Sequence, residues 1–230
     1  MDELIEVVVV RVFTDERGAN GNELGIVQSS PATAQREQAI ATALGFSETV
    51  FLDAVHSDAR AADLRIFTPA RELPFAGHPS VGTAWWLADR RTPVDVLHEK
   101  AGEVAVTVDD DTAWITARAE WAPEFEWLPL QSPADVDALD PSAFTSGHHY
   151  AYAWIDEAEG RLRARMFAPD MGIVEDEATG AAAVSITAKL GRALHISQGE
   201  GSELRTEVLA DGYVRVGGTT VYDRTIDVTL

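Results

Sequence analysis

LRIFTPARELPFAGHPSVGTAWW, residues Leu64–Trp86, is the stretch whose reading decides the fold. Leu64 to Phe67 reads as a strand. Pro69 and Pro74 keep the connector extended, because each disfavours α geometry in the residue before it. Gly77 permits a backbone conformation that other residues resist, and Pro79 suits the first turn of a helix, where its missing N–H is not needed. The free N–H groups of that turn, with the positive end of the helix dipole behind them, make a seat for an anion beside His78. A lone Gly-His-Pro at a helix start more often caps or packs than catalyses, so this reading needs a second observation.

The second observation is a repeat. LRARMFAPDMGIVEDEATGAAA, residues Leu162–Ala183, follows the same plan about one hundred positions later. Arg65, Phe67 and Pro69 are echoed by Arg165, Phe167 and Pro169, and each strand leads through an irregular connector to a helix of small residues. Glu103 and Asp111 are echoed by Glu203 and Asp211 in segments that both read as hairpins. A long period with two copies is not a solenoid, which needs several short units. It predicts two pseudo-equivalent halves facing each other across a cleft.

Composition narrows the function. An apolar fraction of 46% and a charged fraction of 24% are those of an ordinary globular protein, and 230 residues suffice for one large domain or two small ones. Eighteen basic against thirty-eight acidic residues give a net charge of −20, which repels phosphate backbones and anionic membrane surfaces. Nucleic acid and membrane are therefore not expected partners, and an anionic substrate would need a local positive seat. No run approaches ~18 apolar residues, and the acidic start MDELIEVVVVRVF reads as a first strand rather than a secretory leader, so a cytoplasmic setting is expected. The absence of cysteine removes disulfides and thiol nucleophiles. The six histidines show no metal-binding spacing, so no metal site is expected, and with no G-x-G-x-x-G after a strand and no P-loop there is no claim to a dinucleotide or P-loop ligand.

In chain order, Leu4 to Phe13 and Leu24 to Val27 read as strands. Ser30 and Pro31 then offer a helix start, and Gly45 its stop. In the strand-like Phe46 to Phe51, Glu48 interrupts an apolar or hydroxylic run; alternation alone favours an outward residue on an edge strand, the alternative being burial with a purpose. After the Gly-His-Pro helix, strands are expected at Val94 to Glu99, Glu103 to Val108 and Ala113 to Ala117. The Pro- and acid-rich Glu120 to Pro141 marks a bridge. The second half begins with strands at His148 to Asp156 and Leu162 to Phe167. Glu175, Asp176 and Glu177 precede a helix from about Ala181 to Leu190, where acids suit the dipole. That helix is apolar around most of its girth, which predicts an enclosed position. Ser202 to Leu209, Tyr213 to Gly217 and Val221 to Leu230 close the fold as strands, with a bend at Gly217-Gly218.

Four segments, VFTDERGANGNELGIV, FSETVFL, RIFTPARELPFAGHPSVGTA and EDEATGAAA, are similar in order and spacing to the signature stretches of the phenazine-biosynthesis PhzF-like isomerases. This resemblance implies an α+β fold of the diaminopimelate epimerase type: two pseudo-twofold lobes, 1–118 and 119–230, each a β-barrel around a central helix. The final strand is free to cross back to the first lobe. It also implies a cofactor-independent, homodimeric enzyme with its active site between the lobes. Carried over by motif, Glu48 is the proton-shuttling acid/base, with His78 and Asp176 as its catalytic partners. Gly77, Thr179, Gly180 and Gln198 bind substrate. Gly77 and Asp176 fall where related racemases carry two cysteines, so this chain is not a two-thiol racemase.

The chain departs from the family pattern at Glu177 (proline in the family), at Ala181 (serine), at Glu23 in Gly21-Asn22-Glu23 (proline), and after Gln198-Gly199. The resemblance therefore implies isomerisation of a small carboxylate-bearing substrate by proton transfer between carbons. The alternative is a non-catalytic homologue that binds small anions.

Overall fold

The computed structural model describes residues 4–229. The acidic start at 1–3 and Leu230, the last residue of the expected closing strand, lie outside the described residues. The first half runs β1 (Ile5–Thr14), β2 (Asn22–Gln28), α1 (Glu37–Leu44), β3 (Glu48–His56), β4 (Ala61–Phe67), β5 (Glu72–Leu73), α2 (Gly77–Asp89), β6 (Val96–Glu99), β7 (Gly102–Asp109) and β8 (Thr112–Arg118). The second runs β9 (Glu126–Pro129), α3 (Pro133–Asp137), β10 (His149–Asp156), β11 (Arg161–Ala168), β12 (Ile173–Asp176), α4 (Gly180–Leu190), β13 (Leu194–Gln198), β14 (Ser202–Val208) and β15 (Tyr213–Val228).

The strands form one continuous path, β1-β2-β3-β4-β6-β7-β8-β15-β14-β13-β11-β10-β9, and β15 also pairs with β1. That last pairing closes the first eight strands into a barrel. Helix α2 fills it, with Val81, Ala84 and Leu87 buried among Val10, Val12, Leu24 and Leu97. Gly82 lets the helix sit close to the wall, because a side chain there would meet Val12 and Leu24 below van der Waals distance.

The second half repeats the pairing order. Thr49 lies opposite Phe67 and His149 opposite Phe167; Ala61 pairs with Val96 and Arg161 with His195. In each half a central helix, α2 or α4, crosses between two parallel strands, as a parallel pair requires. This is the mixed α+β architecture that the family resemblance implies, and α4 is enclosed, with Ala182, Ala183, Val184 and Ile186 all buried.

Four local expectations are corrected. Helix α1 begins at Glu37 rather than at Pro31: Ser30 and Thr33 side chains bond the backbone of 30–33 into a turn, and Gln35 takes a left-handed φ of 64°. The bridge contains β9 and α3. The acids Glu175 and Asp176 end β12 and Glu177 follows it, so the first turn of α4 carries no acid. Gly217 and Gly218 make no turn between two strands but lie within the single strand β15, where the Trp114 ring and Phe13 occupy the space of a side chain.

Candidate active site at the meeting of two helices

The first turns of α2 and α4 meet. A Cβ on Gly77 would lie 2.6 Å from the carbonyl carbon of Gly180, and one on Gly180 2.8 Å from that of Gly77. Both obstacles are backbone and cannot rotate away. Gly77→Ala is accordingly expected to lower stability by roughly 1–3 kcal/mol or more through overpacking, read as a lower urea midpoint with an unchanged slope.

Glu48 opens β3 and is only 7% exposed. The edge-strand reading is thereby overturned: β3 lies between β2 and β4, and the Glu48 side chain is covered. His78, 2% exposed, brings Nδ1 to 3.2 Å from Glu48 Oε2. Burial presses the His78 imidazole down to about 3, against a small opposing contribution from the Glu23 backbone, so the ring is neutral at physiological pH. Burial and then the nearby Asp176 charge push Glu48 up to about 8, with Ser47 opposing. Burial also lifts Asp176 to about 6, against hydrogen bonds from Thr179, Asn22 and Ser47. Near neutrality the two carboxyls thus hold about one proton between them.

A polar network fixes Asp176. Asn22 Nδ2 donates to Asp176 Oδ1 (2.6 Å) and to the Ala178 carbonyl (3.0 Å), while Thr179 Oγ1 donates to Asp176 Oδ2 (2.6 Å). Gln198 Nε2 donates to the Asp176 carbonyl and to Thr179 Oγ1, both at 2.9 Å, and Tyr150 OH donates to Gln198 Oε1 (3.2 Å). Ser47 Oγ donates to Asn22 Oδ1 (3.1 Å), which links the loop before Glu48 to Asp176 in the other half.

All seven residues singled out from the sequence fall in this neighbourhood. Glu48, His78 and Asp176 form its titratable centre, Gly77 and Gly180 the helix contact, and Thr179 and Gln198 the support of Asp176. Sequence reasoning assigned no part to Asn22, Ser47 or Tyr150, although Asn22 stands in a motif it quoted.

The departures from the family pattern fit one another. Glu177 accepts from the Glu200 N–H (3.0 and 2.9 Å to its two oxygens) and from Ser202 Oγ (2.7 Å), and Ser202 Oγ accepts from the Gly21 N–H (3.0 Å). Gly199, at φ 60°, leaves the room that Glu177 fills. One carboxylate therefore ties the loop after Gln198 to the turn before Asn22.

A cleft of about 370 Å³ opens over Asn22, Ser47 and Asp176, walled by Phe46, Pro69, Ile173 and Val174; Glu48 and His78 are not among its lining residues. A larger hollow of about 990 Å³ lies alongside in the second half. Its arginines are already engaged, Arg165 with Glu175 at 2.7 Å and Arg163 with Asp137 at 2.7 Å. None of Glu48, His78 and Asp176 lines it, whereas Asp176 lines the smaller cleft.

Known proteins bear on this geometry. Residues 10–140 and 123–209 match the family model described as phenazine biosynthesis-like protein, PhzC-PhzF. A trans-2,3-dihydro-3-hydroxyanthranilate isomerase of Pseudomonas aeruginosa is 28% identical over 86% of this chain and 84% of its own length. That of Pseudomonas chlororaphis is 30% identical over 75% of this chain and 74% of its own. The fold matches the crystal structure of a Bacillus anthracis phenazine biosynthesis protein of the PhzF family at a TM-score of 0.80, with 21% identity over 99% of this chain and all of that one. It also matches a probable proline racemase from Agrobacterium radiobacter at 0.66, with 12% identity over 98% of this chain and 93% of that one. The chain belongs to the PhzC/PhzF family of phenazine biosynthesis-like proteins, as an isomerase of that family.

Proposed function

We propose that the chain moves a proton between two carbons of a small carboxylate-bearing substrate, without a cofactor, by general acid/base catalysis at Glu48. The observation that carries this is the buried Glu48–Asp176 pair with neutral His78 against it. A carboxylate in water is too weak a base to take a proton from carbon and too strong an acid to hold one near pH 7; burial beside a second negative group corrects both. In this mechanism ionised Glu48 takes the proton from one carbon and returns it to another. His78, uncharged, orients the substrate and stabilises developing charge. The facing N-termini of α2 and α4 seat the substrate carboxylate. The compound named in the relatives, trans-2,3-dihydro-3-hydroxyanthranilate, is the first candidate substrate. A homodimer belongs to the same proposal and is checked by light scattering.

The test is to incubate the protein with that compound in D2O and follow both carbons by NMR. Migration of hydrogen, or entry of deuterium at the accepting carbon, is expected. Binding without either would favour the anion-binding reading that Ala181, lacking a hydroxyl at the start of α4, also suits. Because Glu48 must be ionised, kcat/KM is expected to climb about tenfold per pH unit and level off near pH 8. A limb near the ordinary glutamate value would contradict the assignment.

A further inference from the structure

One buried acid has no part in the chemistry above. Glu99, the last residue of β6, is 8% exposed, and its Oε2 has no hydrogen-bond partner. Its Oε1 lies 2.5 Å from Ser80 Oγ, which is itself 2.7 Å from the Ala76 carbonyl. Ser80 has one hydroxyl hydrogen, and a carbonyl has none to give. The arrangement that satisfies both short contacts has Ser80 donating to Ala76 and Glu99 donating to Ser80. Glu99 then carries a proton, in keeping with burial that pushes its carboxyl up to about 8 although the Ser80 hydrogen bond opposes it. An ionised Glu99 would leave a buried negative charge with a bare oxygen.

The repeat explains the placement. Glu99 pairs with Gly102 at the end of β6, as Gln198 pairs with Ser202 at the end of β13. Gln198 reaches Thr179, the N-cap of α4; Glu99 reaches Ala76, the N-cap of α2, through Ser80. Each half thus ends the equivalent strand with a side chain that holds the start of its central helix. In the second half the donor is an amide, in the first an acid. His78 is the second residue of the helix so held.

We propose that Glu99 is a positioning residue: as an undissociated acid it donates to Ser80 and, through Ser80 and Ala76, fixes the first turn of α2 that sets His78 against Glu48. This rests on the proposed chemistry only for its kinetic consequence. Its structural part is read without substrate.

Glu99→Gln keeps a donor toward Ser80, as Gln198 does in the other half, whereas Glu99→Ala does not. In carboxyl-13C-glutamate protein, with Glu48 assigned through Glu48→Gln, the Ala variant is expected to move the Glu48 titration about one pH unit or more toward the ordinary value, as the loosened turn admits water. Glu99→Gln restores the parent titration. Leu97→Ala, a cavity on the same strand, lowers stability without that shift. The infrared difference between parent and Glu99→Gln at neutral pH shows loss of a protonated-carboxyl band. On the candidate substrate, Glu99→Ala loses about tenfold in kcat with little change in KM, and Gln recovers it. An ionised Glu99 at neutral pH, an unmoved Glu48 titration in Glu99→Ala, or the same shift in Leu97→Ala overturns the proposal. Absence of turnover of the candidate compound by the parent, with the spectroscopic pattern intact, instead overturns that substrate assignment and leaves this proposal standing.

Discussion

Glu48→Gln should abolish turnover and make the protein more stable at alkaline pH. The first half follows from the role: general acid/base groups contribute typically ~10²–10⁴-fold, and one side chain serving both steps puts the loss at the upper end of that range. The second half follows from linkage. Glu48 titrates near 4.5 in an unfolded chain and at about 8 in the fold, so the folded protein binds this proton more tightly. Stability contributed by the proton is fully present below pH 4.5 and is lost as pH rises through 8. At ~1.4 kcal/mol per pKa unit, the loss is on the order of a few kcal/mol, shared with Asp176. Glutamine has the same shape and nothing to ionise. The variant should therefore match the parent near pH 4.5 and exceed it at pH 8.5, by roughly 5–10 °C in Tm for a domain of this size. Thermal melts at the two pH values, set beside the NMR turnover assay, decide the matter. An equal Tm difference at both values would show that Glu48 is not held as a buried acid.

The sequence exposed the repeat of two halves, because Arg65 and Phe67 and their counterparts Arg165 and Phe167 hold equivalent ladder positions; the fold type was legible only through the family resemblance. What it hid was set by distant partners. Glu48 looked like an edge residue because alternation reports a strand's own faces, whereas β3 is flanked by β2 and β4 and its side chain meets His78 of α2. Gly217-Gly218 looked like a bend because glycine is locally permissive, yet both are required by aromatic rings from other strands. Glu99 reads only as the end of a strand; its contact with Ser80 in the first turn of α2 is what the sequence hid. Asn22 had a signal in the quoted Gly21-Asn22-Glu23, but its role depends on Asp176, 154 residues away.

Asp176→Asn isolates the contribution of the second carboxyl. Its charge is the second cause, after burial, of the raised Glu48 pKa, so removing it should move the rising limb of kcat/KM to lower pH while burial keeps it above 4.5. Most of the hydrogen bonds survive the change: Asn22 Nδ2 still finds a side-chain carbonyl, the new amide donates to Thr179 Oγ1, which still accepts from Gln198 Nε2, and only the Thr179 hydroxyl hydrogen loses its acceptor. Alanine would be a poorer probe, since it strands the buried Asn22 and Thr179 donors at ~1–3 kcal/mol each and confounds chemistry with folding. A more acidic Glu48 is also a weaker base and a less willing proton holder. The plateau should fall as well, by about 10²-fold if Asp176 contributes as general acid/base partners do. The pH–rate profile separates the effects: the limb reports electrostatics, the plateau chemistry. A variant whose plateau falls with the limb unmoved would place Asp176 in contact with substrate but out of reach of Glu48, and the shared proton on which the mechanism turns would be lost.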